Sequence, residues 1–402
     1  MMPPATTVNP ASPTRFHAAF TWLETALFSA VMSFAIAASA AFADELTSSR
    51  LLLVLLLLFM FQVMREPRLL ITREFVLYSL LTAWLCVSEL WTPDPLLGLN
   101  TIFPAVDFAL IILMVASLIA WHDTRAVIVG ALWGVLGCVA LFAVLTGYPA
   151  RVPTGFSYNA FATMYFYGLI LALLYGWQSN SRILPLAIAL LLLAHVAATT
   201  SIKTNFGIAL GALGASLVYR RQFWRVLRRY IVYIALGAAV IAYVILSNEH
   251  LIERMHYGFE RLGVGIQVLS AREDQQGYVG FNERRYWLEE GLRGWAYNPL
   301  FGHGVEAFRI PFGITSHSTP VDLLYNTGLI GFCLYYAIHA SLAWRLLRSK
   351  ADQGLRAIML GCLIAYSFMT LSGTIYYLST MAVYFGLCSS MLVPRTAPAE
   401  PR

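Results

Sequence analysis

The stretch from Asn282 to Gly331 contains the residues of this chain that are best suited to chemistry. It ends a long polar segment, residues 248–319, which holds 16 of the chain's 48 charged residues and four of its eight histidines. Arginine is planar, permanently charged and able to form paired hydrogen bonds with phosphate. Histidine can accept a proton near neutral pH. The stretch therefore predicts a site for an anionic substrate.

Residues 283–297 have the periodicity of an amphipathic helix, with Asn282 as the predicted N-cap. One face of that helix carries Arg284, Trp287, Leu288, Gly291 and Trp295. A guanidinium on such a packing face is costly unless it meets an anion, so Arg284 is a candidate phosphate ligand. The alternative is an arginine that snorkels to the membrane interface.

Arg285 lies about 100° around the same predicted helix. There it can pair with Glu289 four residues later, a surface arrangement that contributes a few tenths of a kcal/mol. Arg285 therefore has two interpretations, a surface ion pair or a second donor-binding arginine.

Gly302 and Gly304 enclose His303 in a predicted tight turn after this helix. Their spacing is not a phosphate-binding fingerprint, because the other glycines and the lysine of such motifs are absent. We therefore expect the two glycines to set loop geometry, with direct involvement of His303 as the lesser alternative.

His317 precedes a predicted membrane span at 320–344, in which Pro320 suits the first turn of the helix. At the membrane surface this imidazole could take a proton from a hydroxyl nucleophile. It could equally hydrogen-bond a lipid headgroup. Position alone leaves both roles open.

The rest of the chain predicts a helical membrane scaffold, since 59% of residues are hydrophobic and 12% are charged. Apolar runs of about 20 residues indicate spanning helices rather than barrel strands. Twelve spans are predicted, at about 18–42, 51–64, 75–91, 102–121, 125–147, 159–177, 183–199, 205–220, 229–247, 320–344, 355–372 and 374–393. The first is too long for a signal-peptide core and is expected to be retained.

Lys and Arg cluster in alternate connections, which predicts cytoplasmic termini and an extracytoplasmic 248–319 loop. The resulting division is a tail at 1–17, spans at 18–247, a large periplasmic loop at 248–319, spans at 320–393 and a tail at 394–402. Arg151, Lys203 and Asp107 fall on the same outer side. Together with Arg284 and His317, the two basic residues predict a basic pocket facing outwards.

Two classes of site are not indicated by the sequence. The net charge of +6 is spread over short clusters between spans and predicts no nucleic-acid binding. The cysteines lack metal-ligand spacing and are expected to be small buried hydrophobic residues. They are Cys86, Cys138, Cys333, Cys362 and Cys388.

Three segments resemble the O-antigen ligase and O-antigen polymerase family, polytopic bacterial glycosyltransferases. The first is Arg151-x-x-x-Gly155-Phe156-x-x-Asn159, and the second is Arg284 with Trp287, Asn298-Pro299-Leu300, Gly302-x-Gly304 and Phe308. The third is His317 followed by Gly328-Leu329-Ile330-Gly331. Ser318 stands where the family usually has Asn, and Lys203 where it often has Arg after a Ser.

The resemblance implies a GT-C-like inner-membrane enzyme that acts without a metal or cofactor on the periplasmic side. Arg151, Lys203, Arg284 and Arg285 are its implied pyrophosphate ligands, and His317 assists the attacking hydroxyl. The implied donor is an undecaprenyl-pyrophosphate-linked glycan, and the implied acceptor is lipid A-core in lipopolysaccharide biosynthesis.

Two alternatives to a ligase remain. A polysaccharide polymerase of the same family would use the same donor residues with another lipid-linked sugar as acceptor. A transporter of polysaccharide or lipid-linked sugar is the second alternative, although its ionisable residues should lie near mid-membrane rather than in outer loops.

Overall fold

The computed structural model describes residues 15–41, 45–146, 158–179, 183–199, 201–221 and 279–392, with isolated positions between 224 and 252. All regular secondary structure in these residues is helical, which confirms the all-α prediction. The helices are α1 (Arg15–Ala41), α2 (Glu45–Arg65), α3 (Arg73–Ser88), α4 (Pro95–Trp121), α5 (Thr124–Thr146), α6 (Tyr158–Gln178), α7 (Ile183–Ala198), α8 (Ile202–Val218), α9 (Val279–Trp295), α10 (Thr319–Arg348), α11 (Gln353–Leu371) and α12 (Ser379–Met391). Single turns lie at Glu89–Trp91 and Arg309–Phe312.

Six helical segments in the described part of the chain are long and apolar enough to cross a membrane, which indicates a membrane protein. They are Phe20–Ser39, Arg73–Trp91, Pro95–Trp121, Thr124–Val144, Thr319–Arg348 and Gln353–Leu371. Every predicted span except 229–247 coincides with a described helix. Most of 229–247 lies outside the described residues.

Helix ends differ from the predicted spans by a few residues. The predicted span 51–64 is part of the longer helix α2, because an apolar run marks only part of a helix, whereas 205–220 overlaps α8, which begins three residues earlier and ends two residues earlier. Asn282 is wrong as the N-cap of α9. That helix already includes Val279, so Asn282 lies inside its first turns rather than at its boundary.

α4 runs through the centre of the bundle. Phe108, Ile111 and Val115 are almost completely buried, and a helix that is apolar all round is typically surrounded by protein. The Phe108 ring stacks on Tyr78 of α3 at 4.0 Å and meets Phe385 of α12 at 5.7 Å. These aromatic contacts join three helices at the core.

Glycines allow α8 to lie directly against α11. Gly207 and Gly211 face the main chain of Ala365 and Gly361, so that a side chain at either glycine would be crowded by backbone atoms. Small residues spaced in this way allow close helix crossings in membranes. The crossing fixes α8, and with it Lys203, one turn before Gly207.

A buried ion pair joins α3, α10 and α12 at one end of the bundle. Arg345 Nη1 donates to both carboxylate oxygens of Glu74 at 2.8 and 2.7 Å, and its Nη2 donates to the Ser389 carbonyl at 2.9 Å. α10 has 30 residues and therefore rises roughly 45 Å along its length. Its opposite end, which follows His317, is called the His317 end below.

α10 is interrupted at Gly328, whose φ of 66° and ψ of −167° are not helical. The N–H groups of Leu329 and Ile330, which follow the break, donate to the carbonyls of Pro299 (2.9 Å) and Leu300 (3.4 Å). The Asn298-Pro299-Leu300 segment thus caps the inner part of α10, because the first N–H groups of a helix have no partner within it.

The prediction that all five cysteines are buried is wrong for two of them. Cys138, Cys362 and Cys388 are buried, whereas Cys86 and Cys333 are exposed. The latter two lie on the outer faces of α3 and α10. An apolar helix face turned towards lipid has the same composition as one turned towards the core, so sequence does not distinguish them.

Candidate functional site

Two glycines of α9 bring this helix against the first turns of α10. Gly291 faces Val321 and the Phe308 ring, and Gly294 faces the Tyr325 ring, leaving no room for a side chain at either position. Gly291 lies on the face predicted for Arg284 and Trp287. Because this face of α9 packs against α10, Arg284 and Trp287 lie beside the residues that precede α10.

His317 lies in the turn immediately before α10. Its φ is 55°, and the N-cap of the helix is Ser318, with Pro320 in the first turn as predicted. The His317 ring lies 5.4 Å from the Trp287 ring, centroid to centroid. His317 keeps part of its surface accessible to solvent, so a ligand can reach it.

Lys203 occupies the first turn of α8, ahead of the apolar stretch 205–220. Its ammonium group lies against Gly373, in the turn after α11, where an added methyl group would come within 2.6 Å of Nζ. Two residues earlier, Ser201 donates a hydrogen bond of 2.8 Å to Oδ1 of Asn159 at the start of α6. Lys203 is therefore held at the His317 end by three helices.

Lys203, Arg284 and His317 interact electrostatically and are called the Lys–Arg–His cluster below. Burial lowers the pKa of Lys203 to about 8, and the charge of Arg284 adds to this effect. Partial burial also lowers the pKa of His317, helped by the positive charges of Arg284 and then Lys203. His317 is thus kept neutral below its ordinary pKa, as a proton acceptor requires.

Arg285 has a different position from Arg284. Its Nε donates to Oε1 of Glu289 at 2.8 Å, and both side chains are more than half exposed, so the predicted surface pair forms. Arg284 is the arginine whose charge acts on Lys203 and His317. The geometry therefore favours Arg284 as the arginine of the cluster.

Gly302 and Gly304 have φ values of 70° and 101°, where L side chains are strained. A methyl group on Gly302 would lie 2.5 Å from the Asn326 main chain, and one on Gly304 would lie 2.5 Å from Cα of Thr92. Both glycines thus let the loop lie directly on neighbouring backbone. His303, between them, has its Nε2 2.8 Å from the Gly294 carbonyl and its ring 4.7 Å from the Tyr325 ring.

The two remaining residues predicted on the outer side are Arg151 and Asp107. Arg151 is among residues 147–157, outside the described part of the chain. Asp107 is only 1% exposed, inside the bundle on α4. The structure thus brings Lys203, Arg284 and His317 within electrostatic range of one another, and Asp107 is not among the charges that act on Lys203 or His317.

Asp322, which the sequence reasoning missed, lies beneath the His317 turn. It is 1% exposed, and its Oδ1 accepts a 3.3 Å hydrogen bond from the Ser316 N–H. A signal existed, because an acidic residue within a predicted apolar span is a functional candidate by default. Asp322 falls inside the predicted span 320–344.

Glu306 is a second buried acid that the sequence reasoning missed. It is 3% exposed, accepts a short hydrogen bond from Thr101 and lies 3.7 Å from Nε of Arg309. Burial raises its pKa, while the Thr101 hydrogen bond and the Arg309 charge oppose that rise. Nothing in the loop sequence distinguishes Glu306 from a solvent-exposed glutamate.

Among the residues that the structure describes, no three His, Cys, Asp or Glu side chains are grouped so as to hold a metal ion. Comparison of the chain with protein-family models, curated proteins and solved structures gave no match.

Proposed function

We propose that the chain is a membrane glycosyltransferase of the O-antigen ligase type. It moves a glycan from undecaprenyl pyrophosphate to a lipid A-core acceptor. In this proposal the chain has about twelve spans in a GT-C-like arrangement in the bacterial inner membrane. The reaction takes place on the periplasmic side.

The observation that carries the proposal is the Lys–Arg–His cluster. Three separate elements bring Lys203, Arg284 and His317 within electrostatic range of one another at one end of the bundle. Like charges gathered in this way repel in the free protein, and an anion between them would relieve the repulsion. A lipid-linked pyrophosphate has the required charge and reaches the site from the membrane.

The proposed step is a displacement at the anomeric carbon of the donor glycan. An acceptor hydroxyl oxygen forms a bond to that carbon, and the bond between the carbon and the pyrophosphate oxygen breaks. His317 takes the hydroxyl proton, while Lys203 and Arg284 stabilise the negative charge that develops on the leaving undecaprenyl pyrophosphate. Arg151 and Arg285 are further proposed ligands of the pyrophosphate.

The periplasmic orientation is supported by the distribution of charge between the two ends of the bundle. Arg65, Arg345 and Arg348 lie in or beside connections at the end opposite His317, and such residues favour the cytoplasmic side. The His317 end is then extracytoplasmic, where lipid-linked glycans are joined.

The proposal can be tested by complementation of a ligase-deficient strain and of a polymerase-deficient strain. Wild-type protein should restore long-chain lipopolysaccharide in the first strain only. Restoration in the second strain only would identify a polymerase instead. Immunoblotting of the membrane fraction should confirm equal expression, because poorly expressed protein would give the same negative result.

Three variants assign the function to the site. Arg284→Ala and His317→Ala should abolish complementation, and Arg293→Ala, which removes only a surface ion pair with Glu290 on the same helix, serves as the matched control that retains it. Full activity of the first two variants would reject the proposed site. Glycan transfer by purified protein in detergent, with no sealed compartment, would rule out transport as the sole activity.

A further inference from the structure

Glu306 and His317 are the non-glycine residues of the described chain with positive φ, at 59° and 55°. Such a conformation is strained and persists only where the surrounding structure enforces it. Both residues lie in segments that meet the first two turns of α10. The contacts there identify what enforces the conformation of His317.

Asp322 Oδ1 holds the turn that carries His317. It accepts the Ser316 N–H at 3.3 Å and lies 3.3 Å from the Ser316 hydroxyl. The Ser318 N–H donates to the same hydroxyl at 3.2 Å, and that hydroxyl donates to the Ser318 carbonyl at 2.8 Å. The residues on either side of His317 are thus joined to each other and to one buried carboxylate.

Asp322 Oδ2 holds two further segments. It accepts Nδ2 of Asn326 at 3.1 Å and the Tyr376 hydroxyl at 3.4 Å. Asn326 in turn accepts the Phe308 N–H on its Oδ1 at 2.8 Å, and its carbonyl accepts the Gly304 N–H at 2.8 Å. The loop that contains Glu306 is therefore fixed to Asn326, and Asn326 is hydrogen-bonded to the same Asp322 carboxylate that fixes the loop containing His317.

The connection between α11 and α12, which contains Tyr376, also contacts Lys203. Its residue Gly373 borders the Lys203 ammonium group, and the Gly373 carbonyl accepts the Thr319 hydroxyl at 2.6 Å. The same Thr319 hydroxyl accepts the Ile375 N–H at 3.0 Å. The outer turns of α10 thus connect the neighbourhood of Lys203 to the His317 turn.

We propose that Asp322 is the positioning residue of the Lys–Arg–His cluster. It does not touch the substrate. Its carboxylate sets the orientation of His317 relative to Lys203 and Arg284 by fixing Ser316 on one oxygen and the Asn326 and Tyr376 side chains on the other. This inference deepens the proposed glycosyl transfer and rests on it for the rate measurement.

A residue exchange tests the proposal. Asp322→Asn introduces an NH₂ group where the Ser316 N–H and Asn326 Nδ2 both donate, so two donors face each other in either amide orientation. Asn326→Asp places two carboxylates opposite each other. The double variant Asp322→Asn/Asn326→Asp restores one acceptor opposite one donor and leaves an oxygen available to Ser316. Coupling of this kind is measured by a double-mutant cycle.

Each single variant should lower the rate of glycan transfer about 100-fold, because a displacement of about 1 Å has that effect on a positioned group. The Kd for geranyl pyrophosphate, used as a soluble probe, should stay near the wild-type value, since Lys203 and Arg284 remain. The double variant should recover most of the lost rate. Asp352→Asn removes a capping carboxylate at the other end of the bundle and serves as the matched control with unchanged rate and Kd.

NMR of protein labelled with ¹⁵N-histidine gives a readout that does not depend on activity. The His317 signals, assigned by their absence in His317→Gln, should shift in both single variants and return in the double variant. Unshifted His317 signals would overturn the positioning role even if the enzyme transfers glycan. If wild-type protein neither transfers glycan nor binds the probe, the proposed function fails, while the His317 signals still decide the role of Asp322.

Discussion

Lys203 and Gly373 are in contact, so that a methyl group on Gly373 would lie 2.6 Å from the Lys203 Nζ. Gly373→Ala should therefore move the ammonium group, and it should do so at little cost in stability because a lysine terminus is flexible. We expect geranyl pyrophosphate to bind about three- to tenfold more weakly, equal to about 0.7–1.4 kcal/mol. Isothermal titration calorimetry in detergent measures this change.

Gly137→Ala is the control for that experiment. Its added methyl group would meet only Phe34, at an ordinary 3.8 Å, in a helix remote from Lys203. It should leave the Kd unchanged. Equal Kd values for Gly373→Ala and wild type would show that Lys203 does not bind the pyrophosphate.

Lys203 should give the proposed glycan transfer an alkaline limit, because the rate should fall as Lys203 loses its proton. Its pKa is lowered to about 8, so its positive charge is present below that pH and lost above it. The kcat/KM for donor, which reports the free enzyme, should fall as pH rises through about 8. Lys203→Arg keeps its charge throughout this range and should abolish the fall.

Lys203→Met completes that series. It should show no alkaline limit and a kcat/KM at pH 7 that is roughly 10- to 100-fold lower, since a hydrogen bond to a charged group contributes about 1.5–3 kcal/mol. An alkaline limit that persists in Lys203→Arg would assign it to another group.

His317 should set the acid limit of the same profile. Burial and the charges of Arg284 and Lys203 lower its pKa from the ordinary 6.5, so the neutral proton acceptor persists below that pH. We expect kcat/KM to fall only when pH drops below 6.5. Arg284→Gln removes one positive charge and should move the acid limit upwards, towards 6.5.

His317→Gln should lose the acid limit together with about 10²- to 10⁴-fold of the rate, the usual contribution of a general base. A variant that keeps both the rate and the acid limit would exclude His317 as the proton acceptor.

The helices were predictable because long apolar runs are local signals, and each described span lies where such a run occurs. The site was predictable only in part. Residue type and sidedness were enough to propose Arg284, Lys203 and His317, whereas the position of the Asp322 carboxylate depends on a contact with the hydroxyl of Tyr376, 54 residues away. Sequence periodicity carries no information about such a partner.

The left-handed glycines allow a matched test of loop geometry. Gly302 and Gly313 have nearly equal φ values, 70° and 72°, but only Gly302 is surrounded by backbone, and Gly313 has nothing within 4 Å. Gly313→Ala should cost about 1–2 kcal/mol of stability from backbone strain alone. Gly302→Ala should cost about 1–3 kcal/mol more from overpacking.

The free energy of unfolding of both variants can be measured by denaturation with SDS in mixed micelles. The difference in free energy of unfolding between the two variants measures the contact of Gly302 with the main chain of Asn326 and Gly328. Equal values would mean that the loop moves aside and that the contact contributes little.

The interruption of α10 at Gly328 has a consequence for genetic screens. The N–H groups of Leu329 and Ile330 can donate to the carbonyls of Pro299 and Leu300 only because the chain bends at that glycine. Substitutions at Gly328 should therefore abolish function as completely as loss of a charged side chain, although Gly328 takes part in no chemistry. A screen scored only by phenotype would rank it with His317, and only the amount of folded protein in the membrane separates the two classes.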